Sequence, residues 1–259
     1  MAEFASGKYV WIFGDDDKMR PDAVGAVLNT IELGAGAVIC NIRVFSKDFQ
    51  TVIRQHFVKA RNDITFLEAD QVMCWLGAYP GYISCVILRR HDFLKVPSSD
   101  YMSFYQDRAS FLYAAYCVFR NCGPVVFLAH SIVLNRGDMP EANLADAREG
   151  GIGVKTSDDV ADTCWNRFFI EGFSRALQEL GVKGYSGHAV RKAKTRIIFD
   201  YILPRLLMVK NRGYGAKLLT SQSMKYLKAS WALWLLVLPL APLPATVLRS
   251  IRNIKHKLT

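Results

Sequence analysis

The chain has 259 residues, of which 51% are hydrophobic and 12% aromatic, so its composition excludes an intrinsically disordered protein. The net charge of +10 is unevenly placed: residues 1–179 carry a net −4, and residues 180–259 carry a net +14 with one acid, Asp200. Such a basic segment is typical of proteins that contact nucleic acid or an anionic membrane surface. The six cysteines form no Cys-x-x-Cys pair and no zinc-type spacing, which indicates reduced thiols and excludes a disulfide framework.

The first predicted elements alternate between strand and helix. Residues 9–13 are an uninterrupted apolar run with β-branched and aromatic side chains, which predicts a strand buried on both faces. Pro21 is well placed to begin a helix that we expect over 23–33. Residues 37–44 form a second apolar, β-branched run and are predicted to be a strand. This alternation is the signature of an α/β domain.

The pattern continues through the middle of the chain. We expect, in order, a helix near 67–76, a strand at 82–88, a helix at 101–120, a strand at 125–134, a loop at 135–157 and a helix near 159–180. His130 and Arg136 lie in or after the last strand, where they are candidate phosphate contacts; a core histidine and a solvated arginine are the alternatives. The charge pattern divides the chain into an α/β domain at 1–182 and a basic helical tail at 183–259.

The tail contains a twenty-residue uncharged run at 229–248 that includes Trp231 and Trp234. This length would cross a bilayer as a helix. However, prolines interrupt its second half and cations flank both ends, so we expect an interfacial or re-entrant membrane anchor. The alternative is a buried C-terminal helix. Binding to nucleic acid is not expected, because the tail has no nucleic-acid-binding signature and carries this apolar run.

Three consecutive acids, Asp15, Asp16 and Asp17, follow the first strand directly. They are therefore predicted to lie at the carboxyl end of that strand, where open α/β sheets form their ligand crevice. Adjacent carboxylates repel one another, and a hard divalent cation such as Mg²⁺ or Mn²⁺ offsets that repulsion. The alternative is a solvated acidic turn before the helix at Pro21.

The stretch from Ala5 to Ala23, in which a strand, three acids and a proline-started helix follow in order, resembles the centre of family 2 glycosyltransferases. The abequosyltransferase-like branch, which contains a Gly-Asp-Asp-Asp form, is the most similar. The resemblance implies an incomplete GT-A-like fold in which the triplet binds a divalent metal and, through it, the diphosphate of a nucleotide-sugar. It implies Asp15 and Asp17 as metal ligands, with Asp16 contacting the sugar or positioning the loop.

The resemblance also implies further site residues. An acid that deprotonates the acceptor in inverting members corresponds by spacing to Asp107 first and Asp100 second. The alternatives are an intrahelical ion pair for Asp107 and a helix N-cap for Asp100. Gly81 and Ser84 would line the acceptor side. The Gln-x-x-Arg-Trp motif of processive synthases is missing, which favours transfer of a single sugar.

Together these features predict a metal-dependent, inverting glycosyltransferase that acts on a lipid-linked or polysaccharide acceptor at the cytoplasmic face of the inner membrane, as a peripheral or monotopic protein. The first strands of the family, which hold the nucleoside base, have no counterpart before residue 9. We therefore expect this chain alone to bind nucleotide-sugars poorly. The alternative is a catalytically inactive, membrane-associated interaction module.

Overall fold

A computed structural model of the protein describes residues 2–46, 48–104, 109–137, 167–203, 206, 217–228, 230 and 232–244. The strands are β1 (Tyr9–Trp11), β2 (Lys18–Met19), β3 (Ala37–Phe45), β4 (Val52–Arg54), β5 (Ile64–Phe66), β6 (Val86–Arg89) and β7 (Val125–Arg136). The α-helices are α1 (Ala23–Glu32), α2 (Ala69–Leu76), α3 (Arg90–Leu94), α4 (Ser98–Met102), α5 (Ser110–Phe119), α6 (Phe173–Val182), α7 (Gly187–Ile197), α8 (Lys217–Leu227) and α9 (Leu238–Leu240). Three π-helical segments cover Arg167–Gly172, Ile198–Ile202 and Leu233–Val237.

The strands of the described part form one mixed sheet in the order β1-β6-β3-β7-β2, with β4 paired to β3 and β5 paired to β7. The central pair β3–β7 is parallel, and the other pairs are antiparallel. Helices pack against this sheet, so the predicted α/β class is confirmed at that level.

Strand β3 is the centre of the core. Its first six residues, Ala37 to Ile42, are at most 2% exposed, as expected for an apolar, β-branched run between two neighbouring strands. A polar residue, Asn41, lies among them and donates hydrogen bonds to the carbonyls of Val58 (2.7 Å) and Ala129 (2.9 Å). These bonds lie where the β3–β7 register shifts, so a buried amide satisfies the carbonyl of the bulge.

Strand β1 differs from its prediction. It ends at Trp11, its three residues are only partly buried, and in the described part of the chain β6 is its only partner strand. Pairing on one side only leaves this strand less covered than a central strand, and two of its aromatic side chains are held by their polar atoms. The Tyr9 hydroxyl donates to Ala35 O (2.7 Å) and the Trp11 indole donates to Ser84 O (2.8 Å), so both side chains lie across the sheet with bonded polar tips.

Two other elements are shorter than predicted. Residues Ile83–Cys85 form a 3₁₀ turn before β6 begins at Val86, because Tyr82 and Cys85 close consecutive tight turns. The helix predicted at 101–120 is divided into α4 and α5, and residues 105–108 between them lie outside the described residues.

The helices that follow residue 167 belong to the same core as the sheet. Helix α7 packs on α2, and Ala189, Ala193 and Ile197 are fully buried there. Of the apolar run 229–248, Leu233 and Val237 are buried, whereas Trp234 and Leu235 are 50% and 68% exposed. Among the described residues no helix combines the length and the apolar character needed to span a bilayer.

Candidate active site at the edge of the sheet

Four chain segments meet at one edge of the sheet. Strands β1 and β3 are both antiparallel to β6, and β7 is parallel to β3, so the carboxyl ends of β1, β3 and β7 lie at the same edge. The amino end of β6 lies there too. This topology brings the acidic triplet after β1 together with Ser84 before β6 and Asn135 at the end of β7.

Asp17 is the acid that this edge holds in place. Its Oδ1 accepts a hydrogen bond of 2.7 Å from the Asn135 side-chain amide. The Ser84 hydroxyl and the backbone N–H of Arg136 also favour the ionised form of this carboxyl group and lower its pKa. Polar groups from two other segments therefore surround a side chain that follows a short loop.

The pKa of Asp17 reflects a balance of these surroundings. Burial raises the pKa of this carboxyl above its ordinary value of 3.8, and the charge of Asp16 raises it further. The hydrogen bonds from Ser84, Asn135 and the Arg136 backbone lower the pKa, but burial is the larger effect. A raised carboxyl pKa is common at sites where a ligand charge is missing, and it makes Asp17 a functional candidate.

Gly14 marks the point where the side chains converge. Its N–H donates to Ser84 Oγ (2.9 Å). A Cβ added to Gly14 would lie 3.0 Å from Asp16 Oδ1, 3.2 Å from Ser84 Oγ and 3.4 Å from Asp17 Oδ2. The structure therefore places the carboxylates of Asp16 and Asp17 close to Gly14, whereas Asp15 is exposed.

These oxygens suit a divalent cation whose remaining ligands come from water and substrate. In the described part of the chain, no three His, Cys, Asp or Glu side chains form a ready-made cluster for a metal ion. Mg²⁺ does not require one, because it is commonly bound through one or two carboxylates together with substrate phosphates. Asp16 and Asp17 are the two carboxylates that could hold such an ion here, and the predicted ligand Asp15 is the exposed one of the three.

The predicted acceptor-side residues have different roles. Ser84 is buried and contacts the triplet loop directly, as described above. Gly81 instead packs against a ring: a Cβ there would lie 2.6 Å from Phe173 Cζ. Gly81 thus allows the start of α6 to pack beside the turn that positions Ser84.

The structure does not bring Asp100 to the triplet. Asp100 lies in the first turn of α4, whose N-cap position is Pro97, and its carboxylate pairs with Lys183 Nζ at 2.9 Å. Lys183 lies just after the C-terminal end of α6, whereas Phe173 at the start of α6 lies against Gly81. These two contacts are therefore separated by the length of a ten-residue helix, about 15 Å. Asp100 therefore lines a separate polar cleft of about 450 Å³ with Ser99, Ser103, Arg175, Glu179 and Lys183.

The remaining predicted residues are placed as follows. Asp107 lies outside the described residues, so its proposed role as the catalytic base stays a prediction. His130 is exposed on β7 and bonds to the Arg20 guanidinium, which also forms an ion pair with Asp22 at 3.0 Å. His130 is thus neither a core histidine nor a neighbour of the triplet.

Sequence reasoning missed Asn135. It lies 118 residues from Asp17, and an isolated asparagine at the end of a strand carries no motif. The only available signal was topological: a strand parallel to β3 must end at the same edge as the triplet.

Comparisons with known proteins add no family to this description. No protein-family model matches the chain, and a search of curated proteins found no match to it.

Proposed function

We propose that this chain is a metal-dependent glycosyltransferase that moves one sugar from a nucleotide-sugar to a lipid-linked or polysaccharide acceptor. The observation that carries the proposal is the position of Asp17: the Asn135 amide donates to its carboxylate at the edge where three strands end, with Ser84 beside the same loop. A GT-A-like fold is part of the proposal. The sheet supports it through the mixed topology and the triplet at the carboxyl end of β1.

The residues of the edge have distinct roles in this proposal. Asp16 and Asp17, with Asp15 at the outside, would hold Mn²⁺ or Mg²⁺, which neutralises the charge that develops on the departing nucleoside diphosphate. Ser84 and Asn135 orient the Asp17 carboxylate by donating to it. Burial and the neighbouring Asp16 disfavour the ionised form of Asp17, so the free protein carries an uncompensated charge that suits a cation.

The acceptor is proposed to reach the site from an anionic membrane surface on the cytoplasmic side. Residues 180–259 carry the net charge of +14 that such a surface attracts. Trp234 and Leu235 are exposed beside Lys225 and Lys228, an arrangement suited to the interface between headgroups and acyl chains. This supports peripheral association with lipid and gives the enzyme access to a lipid-linked glycan.

A second candidate is an inactive membrane-associated module with the same architecture. It is favoured by the position of Asp100, which the structure places in another cleft and pairs with Lys183. In this candidate the triplet binds metal but no acceptor is deprotonated.

A transfer assay distinguishes the two candidates. The purified 259-residue chain is incubated with Mn²⁺, radiolabelled UDP-, GDP- and CDP-sugars at high concentration to offset the weak donor binding expected of it, and a bacterial lipid extract, and label in the lipid phase is measured. We expect metal-dependent transfer that falls by about a hundredfold or more in Asp17→Ala, the order of loss when charge stabilisation is removed. Glu32→Ala, an exposed acid at the end of α1, is the control that retains activity. Transfer that persists in Asp17→Ala, or that proceeds fully in excess EDTA, would contradict the metal role.

A further inference from the structure

Two arginines lie at the end of the sheet that carries the candidate site. Arg43 lies near the end of β3 and Arg136 is the last residue of β7. Both are partly buried, and the Nε atom of each is buried without a hydrogen-bond partner. In the described part of the chain, neither guanidinium forms an ion pair.

The strand register places these arginines on the same face. Arg43 pairs with Leu134 and Phe45 pairs with Arg136, and side chains alternate between faces along a strand. Arg43, Phe45, Leu134 and Arg136 therefore share one face. The two arginines are diagonal neighbours, with Cα atoms roughly 8 Å apart, so both side chains can reach one ligand.

A third cation extends the same row. Lys18 of β2 pairs with Leu134 from the other side, so it also belongs to this face. Its Nζ lies 4.1 Å from the centre of the Phe49 ring, which in turn lies 5.8 Å from the Phe45 ring. Three cations beside two aromatic rings thus form a continuous basic row, defined here as Lys18, Arg43 and Arg136.

The lost hydration of the arginine side chains in this row indicates that a ligand binds there. A buried Nε–H without an acceptor loses hydration and gains nothing in return, whereas a ligand oxygen would supply that acceptor. Arginine presents a planar fork that matches phosphate oxygens, and three positive charges balance a diphosphate. Because side chains alternate along a strand, Asn135 and its partner Asp17 belong to the opposite face of the sheet, so the row is a surface distinct from the triplet.

We propose that Arg43 and Arg136, with Lys18 beside them, bind the diphosphate group of a phosphate ester. The site stands on its own contacts and does not require sugar transfer, so the two proposals can fail separately. The diphosphate comes either from a nucleotide or from an isoprenoid lipid carrier, and both present the same oxyanions to the row.

The test is calorimetry on the full chain in EDTA, which removes any metal contribution. The probes are inorganic diphosphate, UDP and farnesyl diphosphate below its micellar concentration. We expect at least one of the two esters to bind, and each substitution Arg43→Gln or Arg136→Gln to weaken that binding by about tenfold, since a bond to a charged group is lost. Arg61→Gln removes an exposed arginine outside the row and is the matched control, with less than a twofold effect expected.

Folding is checked in the same variants. Because neither arginine has an acidic partner among the described residues, the double variant Arg43→Gln/Arg136→Gln should melt at the same or a higher temperature than the parent, and diphosphate should raise the melting temperature of the parent only. Preference for UDP assigns the site to the donor, and preference for farnesyl diphosphate assigns it to the lipid acceptor. Binding of neither ester, or equal binding in the double variant, would overturn the proposal.

Discussion

At the scale of single residues, Asp17 combines a cost in stability with the role proposed for it in metal binding. Burial disfavours its charge, while Asn135, Ser84 and the Arg136 N–H favour it, and the net result is a raised pKa. In the folded protein a carboxyl group of raised pKa is most stabilising when protonated. Its favourable contribution is fully present below the unfolded pKa and is lost as the pH rises through the folded pKa.

The raised pKa predicts that the difference in stability between the Asp17→Asn variant and the parent protein depends on pH. The amide cannot ionise, so it avoids the penalty that the parent incurs above the ordinary pKa of 3.8. The melting temperature of the variant relative to the parent should therefore increase as the pH is raised from about 3 to about 7. Thermal unfolding in EDTA measures this difference, with Glu32→Gln as the exposed control. A difference that is constant with pH, or that falls, would refute the raised pKa.

At the scale of elements, the junction between α1 and β3 depends on a glycine. Gly36 N donates to Pro124 O (2.7 Å), and a Cβ at residue 36 would lie 1.8 Å from the carbonyl oxygen of Cys122. This contact is with backbone, so the turn at 122–124 must move to relieve it. The close approach lets β3 enter the sheet beside β7, and the parallel pair sets the edge where Asn135 meets Asp17.

We expect Gly36→Ala to lower the free energy of unfolding by about 3 kcal/mol, at the upper end of overpacking effects. Gly25→Ala is the matched comparison, since it lies in α1 with nothing within 4 Å of an added Cβ. That change should raise the free energy of unfolding by about 0.5–1 kcal/mol through helix propensity. Urea titrations of both variants provide the measurement. Equal changes in the free energy of unfolding for the two variants would show that a Cβ at residue 36 does not clash with the Cys122 carbonyl.

The π-helical segment Leu233–Val237 makes a separate prediction about membrane contact. One side of it is buried, and the other exposes Trp234 and Leu235 next to the basic segment. Trp234→Ser/Leu235→Ser should lower partitioning into phosphatidylserine vesicles by about tenfold, since the apolar area available for insertion is lost. Flotation with anionic and neutral vesicles measures the change. Leu33→Ser, which alters a side chain that is 91% exposed at the end of α1, should leave partitioning unchanged; a similar loss in both variants would refute a specific lipid face.

At the scale of the whole molecule, the sequence predicts local elements well where periodicity is strong. Strand β3 and helix α1 are confirmed to within one residue at each end, because apolar runs and helix signals are local. The partial burial of β1 was not predictable in this way, since it follows from the position of this strand at the end of the sheet, where β6 is its only partner among the described strands. Asn135 is a partner of Asp17 only through long-range pairing, which a pattern along the chain does not encode.

The same distinction applies to the predicted division of the chain after residue 182. The charge pattern changes there, but contacts cross the division: the Tyr185 hydroxyl donates to Tyr116 O (2.7 Å), and Arg196 Nε donates to Cys74 O (3.1 Å). Helix α7 covers α2 with fully buried side chains. Composition therefore describes where charge lies, whereas packing decides which helices fold together.

Two truncated chains test whether residues 1–182 fold on their own, as the charge pattern predicts, or need helix α7, as the packing indicates. Ending the chain after Val182 removes α7 and uncovers the apolar face of α2, so we expect loss of a cooperative urea transition and of near-ultraviolet circular dichroism. Ending it after Pro244 keeps every residue that the structure describes and is the comparison, which should unfold cooperatively. The chain that ends at Val182 is expected to lose stability because apolar area is no longer buried, and not because of its charge. Added salt should therefore not restore the folding of this shorter chain. A cooperative transition in the 182-residue chain would instead place a domain boundary where the charge changes.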